Sequence, residues 1–538
     1  MDFNELNLGK YIITGDGIAK YFANKDGENE LKIIFPQKIY PSKIIHNITT
    51  DNEKIGLKFY KGNQWREIIT EKNITANKNK IIELANKGVS VNSLNSGALV
   101  EYISIIENIN YDIIPKYLET SQLGWYKDQF LPYAKEISLC EVGGIKSTLK
   151  EQGSFDKWLE ATNIARKNHK FFRIILASEF ASPLLKITGT LGAITHLWGA
   201  TGTGKTVALM CGASVWGLPA NDDGIIVTFN STKVGFEILC DYLQNLPLNI
   251  DELETSNKSN NDDIIYLITE GKGKIRGKAS GGLANIGKWK LWGISTGEHP
   301  ITTDTSKGGA LNRIINLQAT SFLINGIDDV NELCSIWRNN YGFAGKIFID
   351  YIKTLDKELL IKKYNQYLQQ FIKTGGTGKQ SMAGAMLMLA DELANECIFK
   401  DNLKLTINDF KGIILSESEV SRAERYRDMI FDFIASNLRH FNGTENVDQW
   451  GKLVKSGEQV AEIQIIKSVL DKQFFMDTPS KPILTEWRKN KYITSDNDET
   501  SFTKTIRFGD VTARCICIIP NKNVKLTPIN ISEDEMPF

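Results

Sequence analysis

Apolar and polar residues alternate with period two near the start of the chain, then lengthen to a helical period. Lys32–Phe35, Ile44–Ile48 and Gly56–Ile69 have the β-rich alternation of half-buried strands, with Asp, Asn and Gly turns between them. Residues 77–87 and 96–109 read as helices, each opened by a capping Asn or Ser. Gly124–Tyr133 reads as a short strand pair. Ser154–Asn168 and Lys170–Ser182 read as helices, the second with Leu and Ile at helical spacing. Short apolar runs then alternate with helical stretches: Ile194–Trp198, Gly224–Phe229, the run ending at Asp251, Lys288–Ile294 and Ile314–Leu317. This alternation predicts an α/β core. Gly378–Ala394 and Glu417–Asn437 read as helices. Strand 458–466, short helix 468–474, helix 480–491 and strands 502–507 and 512–519 follow. The last two strands meet at Phe508-Gly-Asp, a hairpin-type turn, and a helix followed by such a β-wing is a winged-helix pattern.

The chemistry concentrates where the core begins. Gly199-x-x-x-x-Gly204-Lys205-Thr206 is a complete P-loop pattern. It follows a predicted strand and opens a predicted helix, which is the context the pattern requires. Gly199, Ala200, Thr201, Gly202, Thr203 and Gly204 supply a loop whose amides face phosphates. Lys205 reaches the β/γ oxygens of ATP, and Thr206 holds Mg²⁺. One strand and one helix later, apolar residues end in Asp251-Glu252. In that place the first carboxylate serves the metal's water shell and the second orients and deprotonates water.

Four further features follow in order. Lys272, Lys274, Arg276 and Lys278 alternate with Gly and Ile in the run 264–278; this is either a β-hairpin with four cations on one side or an ordinary exposed turn. The strand after it ends in Ser295-Thr296, either of which can sense a γ-phosphate. Arg313 precedes the last core strand, where a subunit can insert a guanidinium into its neighbour's nucleotide site; a solvated loop arginine is the other reading. Arg488, Lys489, Lys491, Lys504, Arg507 and Arg514 give the C-terminal region a basic face, suited to DNA phosphates or solvated beside a docked protein. The N-terminal cations Lys58, Lys61 and Arg66 read first as a solvated face.

Composition narrows the classes. A chain of 538 residues exceeds one core, and 42% apolar with 24% charged residues is ordinary for a globular protein. Lys plus Arg and Asp plus Glu balance at 64 each, so any nucleic-acid contact comes from local patches. Seven dispersed cysteines with no C-x-x-C pair exclude a usual zinc knuckle and fit a reducing, cytoplasmic setting. No signal peptide and no membrane span are expected.

The order P-loop, Asp-Glu, polar strand end and Arg across residues 199–313 resembles an AAA+ ATPase core. The fuller text around it, with Ser214-Val-Trp-Gly-Leu-Pro, Thr228-Phe-Asn-Ser-Thr, Leu246-Pro-Leu-Asn-Ile-Asp-Glu, Ser295-Thr-Gly-Glu and Tyr341-Gly-Phe-Ala-Gly, resembles the MCM-like replicative helicases of staphylococcal cassette-chromosome elements, islands and prophages. The resemblance covers about Gly124 to Phe399 and more loosely the rest. It implies an ATP-driven homo-hexamer that translocates on single-stranded DNA, with Arg313 as a trans finger and Lys272–Lys278 as a pore element; an ATP-switched initiator or helicase loader is the alternative. The implied organisation is an α+β N-terminal domain (1–120), an AAA+ P-loop core (121–375), a helical lid (376–440), a winged-helix domain (441–525) and an acidic tail (526–538). Family lids often open on a sensor arginine; here only Lys379 stands in that place, which lacks the bidentate fork. The tail Ile531-Ser-Glu-Asp-Glu-Met-Pro-Phe538 resembles the partner-docking tip of bacterial single-stranded-DNA-binding proteins, implying a replisome partner.

Overall fold

A computed structural model describes residues 5–23, 27–140, 145–228, 232–252, 258–277, 286–302, 306, 308–319, 323–324, 328–443, 447–457, 459–476, 479–497 and 501–520. The acidic tail and Lys278 lie outside the described residues.

Three apolar clusters divide the described residues. The first lies under two N-terminal sheets. One has β1 (Tyr11–Thr14), β2 (Gly17–Ala23) and β3 (Asn29–Phe35) in sequence order. The other runs β10-β7-β4-β5-β6, from β4 (Ile39–Asn47), β5 (Glu53–Lys61), β6 (Gln64–Glu71), β7 (Lys116–Thr120) and β10 (Ile137–Leu139). The alternation in β5 explains its one-sided cover. Ile55, Leu57 and Phe59 face the helix Ser96–Ile109, whose Leu99, Tyr102, Ile103 and Ile106 recur at helical spacing. The expected helix over 77–87 is a 3₁₀ helix, Ile81–Lys87. A hairpin of β8 (Gly124–Tyr126) and β9 (Gln129–Leu131) leads into the core.

The core is a five-stranded parallel sheet of β11 (Ile194–Trp198), β12 (Ile226–Thr228), β13 (Leu248–Asp251), β14 (Gly293–Gly297) and β15 (Ile314–Gln318), ordered β12-β13-β14-β11-β15. The P-loop strand β11 is therefore internal, and β14 separates it from the acidic strand β13. Helix Lys170–Thr188 is buried against this sheet at every position from Phe171 to Leu185 except Arg173. Helix Gly378–Ala394 packs on it, and Gln380 Nε2 donates to the carbonyls of Leu311 and Ile314, both at 2.8 Å, pinning that helix to the start of β15. Arg166 is fully buried between Asp391 (3.5 Å) and Asp401 (3.1 Å) and lies on the Phe399 ring.

The expected lid splits. Residues up to Ile413 share the core cluster, whereas helix Arg422–Ser436 contributes Ala423, Tyr426, Ile430 and Ile434 to the C-terminal cluster. The long helix expected over 417–437 breaks at Ser421, because its side chain accepts the Glu424 amide and starts a second helix there. The C-terminal unit holds β16 (Gly451–Ser456), β17 (Gln459–Ile466), β18 (Ile493–Thr494), β19 (Lys504–Phe508) and β20 (Val511–Ile518). Helices Lys467–Phe474 and Ser480–Lys489 precede the β19–β20 wing. No helix among the described residues is long and apolar enough to cross a membrane.

Glu179 is a costly feature of the core. It lies in helix Lys170–Thr188, fully buried beside Gly212 of the P-loop helix, and neither carboxyl oxygen has a hydrogen-bond partner among the described residues. Burial pushes its pKa up to about 8, and nearby Asn249 of β13 opposes this only in part. A raised acid favours the fold below its unfolded value near 4.5, and that contribution is lost as pH rises through about 8. Glu179→Gln is therefore expected to unfold at a higher temperature than the parent at pH 8.5 and at a similar temperature at pH 5, by scanning calorimetry at both. Each tenfold change in proton affinity on folding corresponds to about 1.4 kcal/mol. An equal offset at both pH values would show that packing, not ionisation, decides.

Candidate nucleotide site

The P-loop follows β11 and enters helix Lys205–Ala213, as the strand–loop–helix pattern requires. Two glycines have steric reasons. A Cβ at Gly199 would meet the Ala319 carbonyl at 2.7 Å, and Gly204 takes φ 93° as the helix N-cap. Lys205 Nζ donates to the carbonyls of Gly199 and Ala200, both at 2.8 Å, so its ammonium lies inside the loop. Thr203 Oγ1 donates to Ala200 O at 2.9 Å, bracing the loop from within.

A cavity of about 480 Å³ opens over this loop, lined by Thr201, Gly202, Gly204, Lys205, Thr206, Asp251, Glu252, Thr296 and Glu298 among others. Parallel strands end on one side of the sheet, so the P-loop after β11, the acidic pair at the end of β13 and the hydroxyls of β14 converge there. Thr296 Oγ1 donates to Asp251 Oδ1 at 2.6 Å and accepts the Glu252 amide at 3.2 Å. Thr206 Oγ1 stands 3.5 Å from the same Asp251 oxygen. Glu252 takes φ 54°, a left-handed conformation that costs energy in a non-glycine residue and turns the chain at the cavity mouth.

Geometry decides between the two β14 hydroxyls. Neighbouring strand residues face opposite ways. Ser295 bonds His196 Nδ1 at 2.8 Å, away from the cavity, while Thr296 lines it. Two lining or bracing residues were given no role by the sequence. Asn221 Nδ2 donates to Asp251 Oδ2 at 3.2 Å, and Glu298 accepts the hydroxyl of Thr201 in the P-loop. Glu298 stands two residues after Thr296, so the strand-end reading reached its neighbourhood; Asn221 lies in a loop with no such signal.

Arg313 lies apart from this cavity. Its neighbour Ile314 pairs with Ile194 at the start of β11, whereas the P-loop leaves after Trp198, so about 15 Å of strand separates them. Its guanidinium donates to Gly309 O at 2.7 Å, stands 3.4 Å from Glu270 and covers the Tyr266 ring. Lys379 lines the same small pocket as Arg313; burial, then the adjacent guanidinium, lowers its pKa.

The cationic run departs from the first of its two readings, a hairpin with all four cations on one side. Ile264, Ile265 and Ile268 form the buried face of helix Lys258–Glu270, because their spacing suits a helix. Only after Gly271 does the chain pair with a return strand, through Lys272 with Lys288 and the Gly273 amide on Gly287 O. Lys272 and Lys274 are exposed. Arg276 instead forms a two-pronged bond with Glu237, at 2.7 and 3.2 Å, which ties the run to helix Lys233–Leu243. Arg488 is likewise engaged internally: it stacks on Phe502 at 3.9 Å and donates to Ser501 O, holding the approach to the wing, while Lys489 is exposed at the helix end.

The profile described as Domain of unknown function (DUF927) matches residues 11–287, just over half of the chain. A second profile, the Cch helix turn helix domain, matches residues 421–523 and begins at the broken helix described above. No curated protein matches. Among solved structures, "SCCmec type IV Cch - active helicase" superposes with a TM-score of 0.69 at 16% identity, covering 96% of this chain and 98% of that one, and so shares the fold. The NrS-1 C-terminal region gives a TM-score of 0.32 at 12% identity over 90% of this chain and 96% of its own, too slight to bear on the fold.

Proposed function

The chain belongs to the DUF927 family, and from that premise we propose that it is an ATP-driven DNA helicase of the MCM-like AAA+ kind, acting as a homo-hexamer in the replication of a mobile element. The observation that carries this reading is the convergence of Lys205, Thr206, Asp251, Glu252 and Thr296 on one cavity at the strand ends, with Arg313 at the far end of the same sheet. A chain holding all but one part of a hydrolysis site, and presenting the missing cation elsewhere, fits a site completed by a neighbour. The shared fold with a structure titled as an active helicase supports the same reading.

Thr206 and Asp251 fit Mg²⁺. They are hard oxygen donors facing each other across 3.5 Å, and two protein ligands suit a cation that takes its remaining ligands from phosphates and water. When bound, that ion neutralises phosphate charge. The P-loop amides and Lys205 bind the phosphates of ATP. Thr296 and Asn221 fix the Asp251 carboxylate in one orientation. Glu252 takes the proton of the attacking water, and Arg313 of the adjacent subunit meets the charge that develops. Lys272 and Lys274 contact the DNA strand in the channel, and Lys489 meets duplex phosphates at the helix-turn-helix unit.

Lys205→Ala is expected to lower both ATP hydrolysis and displacement of a strand from a forked duplex by at least about a hundredfold, since a fixed cation aimed at the transferring phosphoryl contributes several kcal/mol. A parent protein with DNA-stimulated hydrolysis but no strand displacement would instead be an ATP-switched initiator or loader. Hydrolysis indifferent to DNA would remove the nucleic-acid reading altogether.

A further inference from the structure

The N-terminal five-stranded sheet has one face covered by the helix Ser96–Ile109 and an opposite face that exposes aromatic rings, and we propose that this second face binds single-stranded DNA by stacking bases on Trp65, Tyr60 and Tyr117. The register makes these residues one surface. Tyr60 pairs with Trp65, Lys58 with Glu67 and Gly56 with Ile69 across β5 and β6. Lys43 of β4 lies opposite Gly56, and Tyr117 of β7 lies opposite Ile45. All point away from Ile55, Leu57 and Phe59, which take the helix side. No apolar cluster among the described residues includes the three rings, and they stay exposed at 44% for Trp65, 36% for Tyr60 and 53% for Tyr117.

The rings are held, not loose. Trp65 meets Tyr60 edge-on at 5.4 Å and Tyr40 at 5.3 Å. Lys38 stands over Tyr60 at 5.7 Å and Lys43 over Tyr117 at 6.0 Å. From Trp65 to Tyr117 the surface crosses three strand spacings and six residues along the strands, about 25 Å, a length within the run of nucleotides that single-strand-binding folds cover. Nothing is needed from a duplex, whose bases offer no free faces.

Charge selects the occupant. The whole chain balances its charges, yet residues 36–90 carry ten Lys and Arg against five Asp and Glu. On the face itself Glu67 holds Lys43 at 2.7 Å, so the ring-bearing centre is close to neutral and the excess lies around it. A protein-docking core is depleted of lysine, whereas exposed rings set among lysines are the pattern of single-strand recognition. Of the three N-terminal cations noted in the sequence only Lys58 lies on this face. Arg66 is opposite Phe59 on the other face, and Lys61 donates to Gly88 O.

The test uses the full chain without nucleotide, so that it is independent of hydrolysis. Lys272→Ala and Lys274→Ala form the background, which removes the cations assigned to the channel. Binding of a fluorescein-labelled twenty-residue oligothymidylate is followed by anisotropy. Trp65→Ala, Tyr60→Ala and Tyr117→Ala are each expected to weaken binding about tenfold. Trp65→Phe is expected to restore most of it, since a ring still stacks, and an unlabelled duplex should compete poorly. The proposal falls if the alanine variants bind as the background does, or if Trp65→Phe is as weak as Trp65→Ala. It falls equally if duplex competes as well as single strand. Alanine variants that shift the sedimentation of the protein and leave DNA binding intact would make this face a contact between copies and also overturn it.

Discussion

Arg313→Ala is expected to cut ATP turnover about a thousandfold, the lower end for removal of an arginine finger, while nucleotide affinity changes little. The expectation follows from where the residue stands. It cannot reach its own cavity along the length of β15, and so it acts, in the proposed ring, on a neighbour. Its contacts with Gly309, Glu270 and the Tyr266 ring hold the guanidinium in place before any partner arrives. Mixing supplies a sharper test than the single variant. A Lys205→Ala subunit keeps its finger, and an Arg313→Ala subunit keeps its pocket, so mixed assemblies should regain part of the turnover that each lacks alone. Full turnover by Arg313→Ala, or no recovery on mixing two folded variants, would remove the finger role.

Glu252→Gln is the second large effect. Loss of a general base lowers rates by about a hundred- to ten-thousandfold, and the amide keeps the size and position of the side chain. ATP should therefore bind as in the parent and persist unhydrolysed, read by a fluorescent nucleotide and by single-turnover hydrolysis. The left-handed backbone at Glu252, fixed by the hydrogen bond its backbone N–H donates to Thr296 Oγ1, is what turns the side chain toward the cavity mouth. Near-normal turnover would move the base elsewhere, with Glu298 as the next candidate in the same cavity.

Much of this site was legible because its signals are local. Eight consecutive residues make the P-loop, and a strand must precede it and a helix follow. The acidic pair ends a strand because apolar residues stop at Asp251. Errors arose where periodicity was read across a junction. Residues 264–278 look continuous as text, yet Gly271, at φ 68°, ends a helix and begins a strand-like run. The run 417–437 looks like one helix, yet Ser421 caps a second.

The amino-acid sequence alone determined which chemical groups the protein has and the order in which they come: the phosphate loop, the two carboxylates, the strand-end hydroxyls and the arginine before the last strand. Tertiary structure decided what each one faces. Strand order put β14 between β11 and β13, which gave Thr296 to Asp251 and Ser295 to His196. It sent Arg313 to the opposite end of the sheet, committed Arg276 to Glu237 and Arg488 to the wing, and brought Asn221 and Glu298 to the site. The reason is range: a turn or a cap is set by neighbours a few residues away, whereas the partner of a charged side chain is set by chain segments dozens of residues distant that meet only when the sheet assembles.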